Sequence, residues 1–239
     1  MVQGYQWVDS IAVILARGGS RGIPRKNIAD FCGKPLIAWT IEQAYAAEKI
    51  SSVWVSSDDA EILEVSRHYG AETIERPAAI ADDKASSESG WLHALDFFDA
   101  EDIPIDNLVT PQCTSPVRTP DDFDNAISIF EGDELDSLFS ATSVPDFNLW
   151  RADDAGTLDS FTYDFRRRER RQEKPEQFLE NGSFWLTRPH IMRDTGNRLG
   201  GNIGVWQMAF WKSFQIDEPE DLQFCETLMR HYLPEQATP

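Results

Sequence analysis

Ile11-Ala-Val-Ile-Leu-Ala-Arg-Gly-Gly-Ser-Arg-Gly-Ile-Pro-Arg-Lys-Asn27 runs from an unbroken apolar stretch straight into a turn rich in glycine and cations. Residues 11–16 are all apolar, the pattern of a short strand buried on both faces. Gly18, Gly19 and Gly22 let the backbone turn tightly, and the first two can bring amides close to a phosphate. Arg17, Arg21, Arg25 and Lys26 offer charge-assisted bonds to a polyphosphate. The glycine spacing is not the dinucleotide G-x-G-x-x-G, and no lysine follows in a Walker A frame. The loop therefore reads as a phosphate cradle of another kind.

Outward from this loop, apolar runs and helical patterns alternate. A helix is expected over 35–47, with Pro35 suited to a first turn, and a strand over 53–56. Asp58 or Asp59 caps a helix that Gly70 ends, and this reading outweighs a catalytic pair of aspartates. A strand over 72–75, a helix over 86–98 and a strand over 107–110 follow. Thr119-Pro120 opens a helix to about residue 130, and 138–142 is a fifth strand. Strands and helices alternating over short links specify an α/β fold, a doubly wound and mostly parallel sheet. Such sheets bind ligands beyond the carboxyl ends of their strands, where all the loops singled out here can meet.

The pattern changes after about residue 145. Residues 151–180 are polar and poor in periodicity, whereas 184–186 and 205–210 are aromatic and strand-like. A last helix spans 219 to about 232 behind the polar cap Asp217-Glu218. The expected division is a nucleotide-binding α/β domain over 1–145 and 205–239, with a small protruding lobe over 146–204. Trp150, Phe161, Phe165, Phe178, Phe184, Trp185, Trp206, Phe210 and Trp211 exceed what so small a lobe can bury, so a dimerisation surface, and hence a homodimer, is expected.

The chain has 239 residues and a net charge of -19. Such acidity excludes nucleic acids and anionic membranes as natural partners. Two cationic islands stand against it. Residues 1–34 hold Arg17, Arg21, Arg25, Lys26 and Lys34 against Asp9 and Asp30, and 166–174 hold five arginines and Lys174 against Glu169 and Glu173. Both suggest a small anionic ligand. The stretch 1–10 has no basic n-region, and no apolar run reaches transmembrane length. Cys32, Cys113 and Cys225 fit neither a metal site nor a disulfide framework, which points to reduced thiols in a cytoplasmic protein. Cys113 reads as a packing residue, and His68, His93, His190 and His231 as structural or surface groups.

The glycine loop resembles the nucleotide-binding loop of the acylneuraminate cytidylyltransferases, also called CMP-sialic acid synthetases. Four further segments match in order. Arg76-Pro-Ala-Ala-Ile-Ala-Asp-Asp-Lys-Ala-Ser-Ser87 resembles the family's R-P-x-x-L-A-x-D-x-A-S-S, and Gln112-Cys-Thr-Ser-Pro-Val-Arg-Thr119 its Q-P-T-S-P-L-R-T. Arg171-Gln172 with Asn181-Gly182 resemble its R-Q and N-G-A-I-Y elements, and Gln215-Ile-Asp217 stands where it has D-I-D. The resemblance implies a nucleotide-diphospho-sugar-transferase-like fold, and transfer of CMP from CTP to the anomeric hydroxyl of a sialic-acid-type nonulosonate with release of pyrophosphate. It implies Arg17 and Lys26 on the triphosphate with Ala16, Gly18, Gly19, Ser20 and Asn27 around it. Arg76, Ala85 and Ser87 would hold cytidine, Gln112, Arg171, Gln172 and Asn181 the sugar, and Asp217 a Mg2+ ion. Arg17, Lys26 and Asp217 would be the catalytic groups.

Three departures qualify this. Cys113 replaces a proline, Gln215 replaces an aspartate, and Phe184 and Trp185 replace smaller or tyrosyl residues. A neutral amide is the poorer Mg2+ ligand. The competing expectations are a cytidylyltransferase for legionaminic, pseudaminic or Kdo-type acids, and a sugar-nucleotide binding protein with an impaired metal site.

Overall fold

The computed structural model describes residues 9–20, 22–82, 84–144 and 147–235. Residues 1–8, Arg21, Asp83 and Pro145, each touched by the expectations above, lie outside the described residues.

Strand β1 (Ser10–Leu15) is followed by the glycine loop, a small hairpin of β2 (Asp30–Phe31) and β3 (Lys34–Pro35), and helix α1 (Leu36–Tyr45). Then come β4 (Ser52–Ser57), α2 (Ala60–His68), β5 (Glu72–Glu75), α3 (Ser87–Ala100) and β6 (Asn107–Pro111). Helix α4 (Pro120–Gly132) and β7 (Ser137–Ser143) complete the part legible as strand–helix alternation. The starts follow local chemistry. Asp59 Oδ1 accepts from the amides of Glu61 and Ile62, Ser86 Oγ caps α3, and Thr119 with Asp122 closes a capping box on α4.

The remaining chain forms the hairpin β8 (Trp150–Ala152) and β9 (Leu158–Ser160), then β10 (Phe178–Thr187), α5 (Pro189–Thr195), β11 (Ile203–Gln207) and α6 (Pro219–Tyr232). The main sheet has seven strands in the order β11-β7-β10-β6-β1-β4-β5. All pairs are parallel except those of β10, which runs antiparallel between β6 and β7. The expected small lobe over 146–204 is thereby corrected. Residues 178–187 sit inside the main sheet because Phe184, Trp185 and Leu186 bury their side chains in its two cores. Phe210, expected in a strand, lies in a short 3-10 turn over Phe210–Lys212.

Alternate residues of β1 serve opposite faces, as a doubly covered sheet requires. Ala12 and Ile14 meet α1, α2 and α4, and Ile11 and Val13 meet α3 and α5. A third cluster packs Ile216, Cys225 and Met229 against Phe31, Leu36 and Trp39. It docks α6, and the segment before it, against α1. Chain order reverses beside β1: the path runs out through β4 and β5, then returns to β6 on the other flank. The crevice at such a reversal is where open α/β sheets place ligands.

Candidate active site

A cleft of about 490 Å3 opens at that reversal, beyond the C-terminal ends of β1 and β6. Its wall includes Arg17, Ser20, Lys26, Asn27, Arg76, Ala85, Ser87, Gln112 and Asp217. Nine side chains proposed from sequence thus come from four separate segments to one place.

The glycine loop is braced from three sides. Asn27 Nδ2 donates to the Arg17 carbonyl at 3.0 Å, and Gly18 donates its amide to Asp58 Oδ1 at 3.2 Å. Gly22 passes under the Asp217 backbone. A Cβ built there would lie 2.2 Å from the Asp217 carbonyl oxygen, so only glycine permits this approach. Ala16 is buried and donates its amide to Ser56, and Gly19 is exposed at the rim.

Arg25 is the departure in this loop. Expected on a polyphosphate, it instead donates to both oxygens of Asp59, at 2.5 and 3.0 Å, and to Glu61 at 2.6 Å. Its backbone is left-handed, at φ 55. The bond from Arg25 holds the Asp59 carboxyl below its ordinary value of 3.8. A carboxylate depressed in the folded state stabilises the fold above its unfolded pKa, and that stabilisation fades as pH falls through the depressed value. Acid titration of thermal stability should therefore show a loss below about pH 4 that is smaller in Asp59→Asn, a variant already weakened at neutral pH. Parallel titrations of the two proteins would exclude the clamp.

Lys26 points the other way. Its ammonium donates to the Ile216 carbonyl at 2.9 Å and to Asp217 Oδ1 at 2.8 Å, and its side chain is only 14% exposed. Asp217 is 69% exposed and turned to the cleft. Arg76 is buried, and its Nε lacks a hydrogen-bond partner among the described residues. Burial lowers its pKa, opposed by the Asp58 carboxylate and reinforced by Arg17. A buried, incompletely paired cation in a cleft wall favours an incoming anion.

The 82–87 loop is held by Asp82, whose Oδ1 accepts from the amides of Lys84 at 2.9 Å and Ala85 at 2.8 Å. Gln112 is held through its backbone, which donates to the Ser183 carbonyl at 3.0 Å. Arg118, fully buried, ties the rest of the 112–119 loop. It donates to the carbonyls of Gln112, Ser115 and Ser183 and to Thr40 Oγ1. Cys113 also lines the cleft, with burial pushing its thiol up to about 12, so it stays protonated and serves packing.

Two proposed sugar contacts, Asn181 and Gln172, do not line this cleft. Asn181 is buried. Its Oδ1 accepts from Ser140 Oγ at 2.7 Å and the Ser183 amide at 3.1 Å, and its Nδ2 faces Met208 Sδ. Gln172 lies exposed on the arm between β9 and β10, and the backbone of Arg171 begins the same 3-10 turn. Residues 166–168 are exposed there too. Sequence reasoning passed over Trp91 and the arginine that stacks on it. Trp91 lines the cleft, and Arg198 stacks between Trp91 and Trp185, 4.6 and 4.5 Å from their ring centres, while paired with Glu88. No local motif marks these residues, because their proximity depends on the insertion of β10.

Among the described residues no group of three or more His, Cys, Asp or Glu side chains converges as a metal site, and no helix is long and apolar enough to cross a membrane.

A family model described as cytidylyltransferase matches residues 11–141. An N-acylneuraminate cytidylyltransferase A from Danio rerio is 32% identical over 217 residues, covering 90% of this chain and 49% of its own length. A pseudaminic acid cytidylyltransferase from Campylobacter jejuni is 29% identical over 226 residues, covering 93% of this chain and 97% of its own. The chain spans about half the length of the vertebrate relatives it matches. A CMP:2-keto-3-deoxy-manno-octonic acid synthetase solved with CTP superposes with a TM-score of 0.70 at 19% identity, over 94% of this chain and all of that one. At that identity the likeness speaks for the fold.

Proposed function

The chain belongs to the cytidylyltransferase family, among the acylneuraminate cytidylyltransferases, and from that premise we propose that it transfers CMP from CTP to the anomeric hydroxyl of an acidic nonulosonate, releasing pyrophosphate. The observation that carries the reading is the meeting of the glycine loop, Arg76, Ser87, Gln112 and the Lys26–Asp217 pair around one cleft.

The reaction is an in-line substitution at the α-phosphorus, in which the sugar hydroxyl attacks and pyrophosphate leaves. It asks the protein chiefly for positioning and charge neutralisation. The glycine loop, Arg17 and Lys26 hold the outer phosphates, and Lys26 meets the charge that grows on the leaving group. Its ammonium is already aimed by Ile216 and Asp217, so it needs little reorganisation. Arg76 and Ser87 hold the cytidine end, and Gln112 faces the acceptor.

Mg2+ suits this donor set in one way. Asp217 offers a single exposed side-chain carboxylate, and Mg2+ in nucleotide sites is held by one or two carboxylates together with substrate phosphates. Such an ion, on Asp217, would supply charge neutralisation at the triphosphate.

The same reading makes the arm a subunit contact. Leu158 and Phe161 are 64% and 63% exposed there, and Trp150 and Phe165 are exposed beside them. Burying that surface against a second copy gives a homodimer, and a partner's arm could bring Arg171 and Gln172 toward the sugar. CTP as donor and three buried free thiols favour the cytoplasm.

Pyrophosphate release measured with CTP or UTP, Mg2+ and a panel of N-acetylneuraminate, legionaminate, pseudaminate and Kdo tests the proposal. Turnover is expected with CTP and a nonulosonate. The near full-length similarity to a pseudaminic acid cytidylyltransferase favours pseudaminate as the second acceptor to try. CTP binding without turnover on any acid would instead support a sugar-nucleotide binding protein, and CTP consumption without acceptor a hydrolase.

A further inference from the structure

Strand β10 carries an irregularity between Glu180 and Trp185, where its pairing with β7 shifts register. Gly182 sits in it with φ 65, left-handed backbone that glycine adopts without cost. The turn presents three successive carbonyls to two segments that carry cleft residues. The Asn181 carbonyl accepts from Gln215 Nε2 at 2.8 Å, that of Gly182 from Ser115 Oγ at 3.4 Å, and that of Ser183 from the Gln112 amide and Arg118. The bulge is thus a hub joining the loop that carries Gln112 to the segment that carries Asp217.

On the Asp217 side the only side chain bonded to that hub, among the described residues, is Gln215. Its carboxamide lies directly over Gly182. A Cβ built on Gly182 would stand 2.2 Å from Gln215 Nε2 and 3.6 Å from Gln112 Oε1. The two glutamine side chains therefore converge over a residue whose missing side chain makes the room. An aspartate at 215 could neither reach as far nor donate to a carbonyl.

We infer that Gln215 is a positioning residue, which sets the Asp217–Lys26 side of the cleft in register with the Gln112 side. The inference rests on the cytidylyl-transfer reading above. Donor and acceptor each bind to one side, so a shift between the sides degrades their mutual alignment more than the binding of either.

The test compares wild type with Gln215→Met, which keeps length and removes the donor, and Gln215→Asn, which keeps the amide one methylene short. Gly182→Ala, whose added methyl would evict the carboxamide, completes the set. Each is read by kcat, by the KM for the best acceptor of the panel, by CTP affinity from calorimetry in chelator, and by melting temperature. Gln215→Met and Gln215→Asn should each lower kcat about tenfold or more while KM and CTP affinity change less than about twofold. Gln215→Met should then add nothing further in a Gly182→Ala background. Unchanged kcat in the glutamine variants, or equal losses in kcat and CTP affinity, or losses that add in full in the double variant, would overturn the inference. A variant that loses melting temperature alone counts against it as well. Wild type that binds no CTP would overturn the reading of the cleft, and this inference with it.

Discussion

Arg118→Met should lower stability by about 3–5 kcal/mol, read as a lower urea midpoint at unchanged slope. Arg118 is fully buried, and its two terminal nitrogens donate to three carbonyls and a threonine hydroxyl. Burial lowers its pKa to about 10, opposed by Cys113 and Asp122, so it remains charged at neutral pH. Methionine fills much of the volume but removes the donor to the Ser115 carbonyl and leaves the Gln112 and Ser183 carbonyls only the amides of Ser115 and Gln112. Leaving buried acceptors unmade costs more than an ordinary hydrogen bond contributes. Release of a buried charge offsets part of the loss, which is why the figure stays below the sum of the separate bonds. A change under about 1 kcal/mol would mean the 112–119 loop is held by its own turns and by Ile216, whose amide donates to Thr114.

Lys26→Ala should cost roughly 2–4 kcal/mol in kcat/KM with CTP, about thirtyfold to a thousandfold, with a small effect on melting temperature. The ammonium is mostly shielded from water and held by two oxygens, so it acts as a fixed charge and not as a mobile surface lysine. Lys26→Arg should recover little, because the planar fork does not reproduce a point charge poised between the Ile216 carbonyl and Asp217. The loss should be larger for CTP than for CMP in binding measured by calorimetry, since the proposed function sets Lys26 against the outer phosphates. A loss confined to melting temperature, with kinetics intact, would remove Lys26 from the catalytic machinery.

Much of this was readable in the sequence, for identifiable reasons. The first five core strands and their helices announce themselves through apolar runs, caps and terminating glycines that act within a few residues. Asp59 capping α2 and Pro219 opening α6 are of this kind. What failed depended on partners distant in the chain. Nothing near Arg25 says that Asp59 and Glu61 will claim it, and nothing near Asn181 says that Ser140 will. Helix α5 has only seven residues, too few for a period to show. Strand β10 is legible in the sequence only over 184–186, since its first half, Phe178 to Gly182, sets Glu180 beside a turn-forming Asn-Gly pair. The exposure of that half follows the same division: residues 178–180 are exposed, and 181–187 are buried.

The position of β10 has a consequence for how the chain is made. Strands β6 and β7 are neighbours in sequence but not in space, and the gap between them is filled by residues that come roughly forty positions after β7 begins. While the chain is still leaving a ribosome, everything through residue 143 can be complete and the sheet must still stand open along two facing edges. Unpaired edges of that kind are templates for pairing with other chains. Closure waits for a single late segment to insert against the direction of its neighbours. That segment also carries the carbonyls of the bulge, so its insertion closes the gap between β6 and β7 and ties down the 112–119 loop in the same event, before β11 and Asp217 have followed.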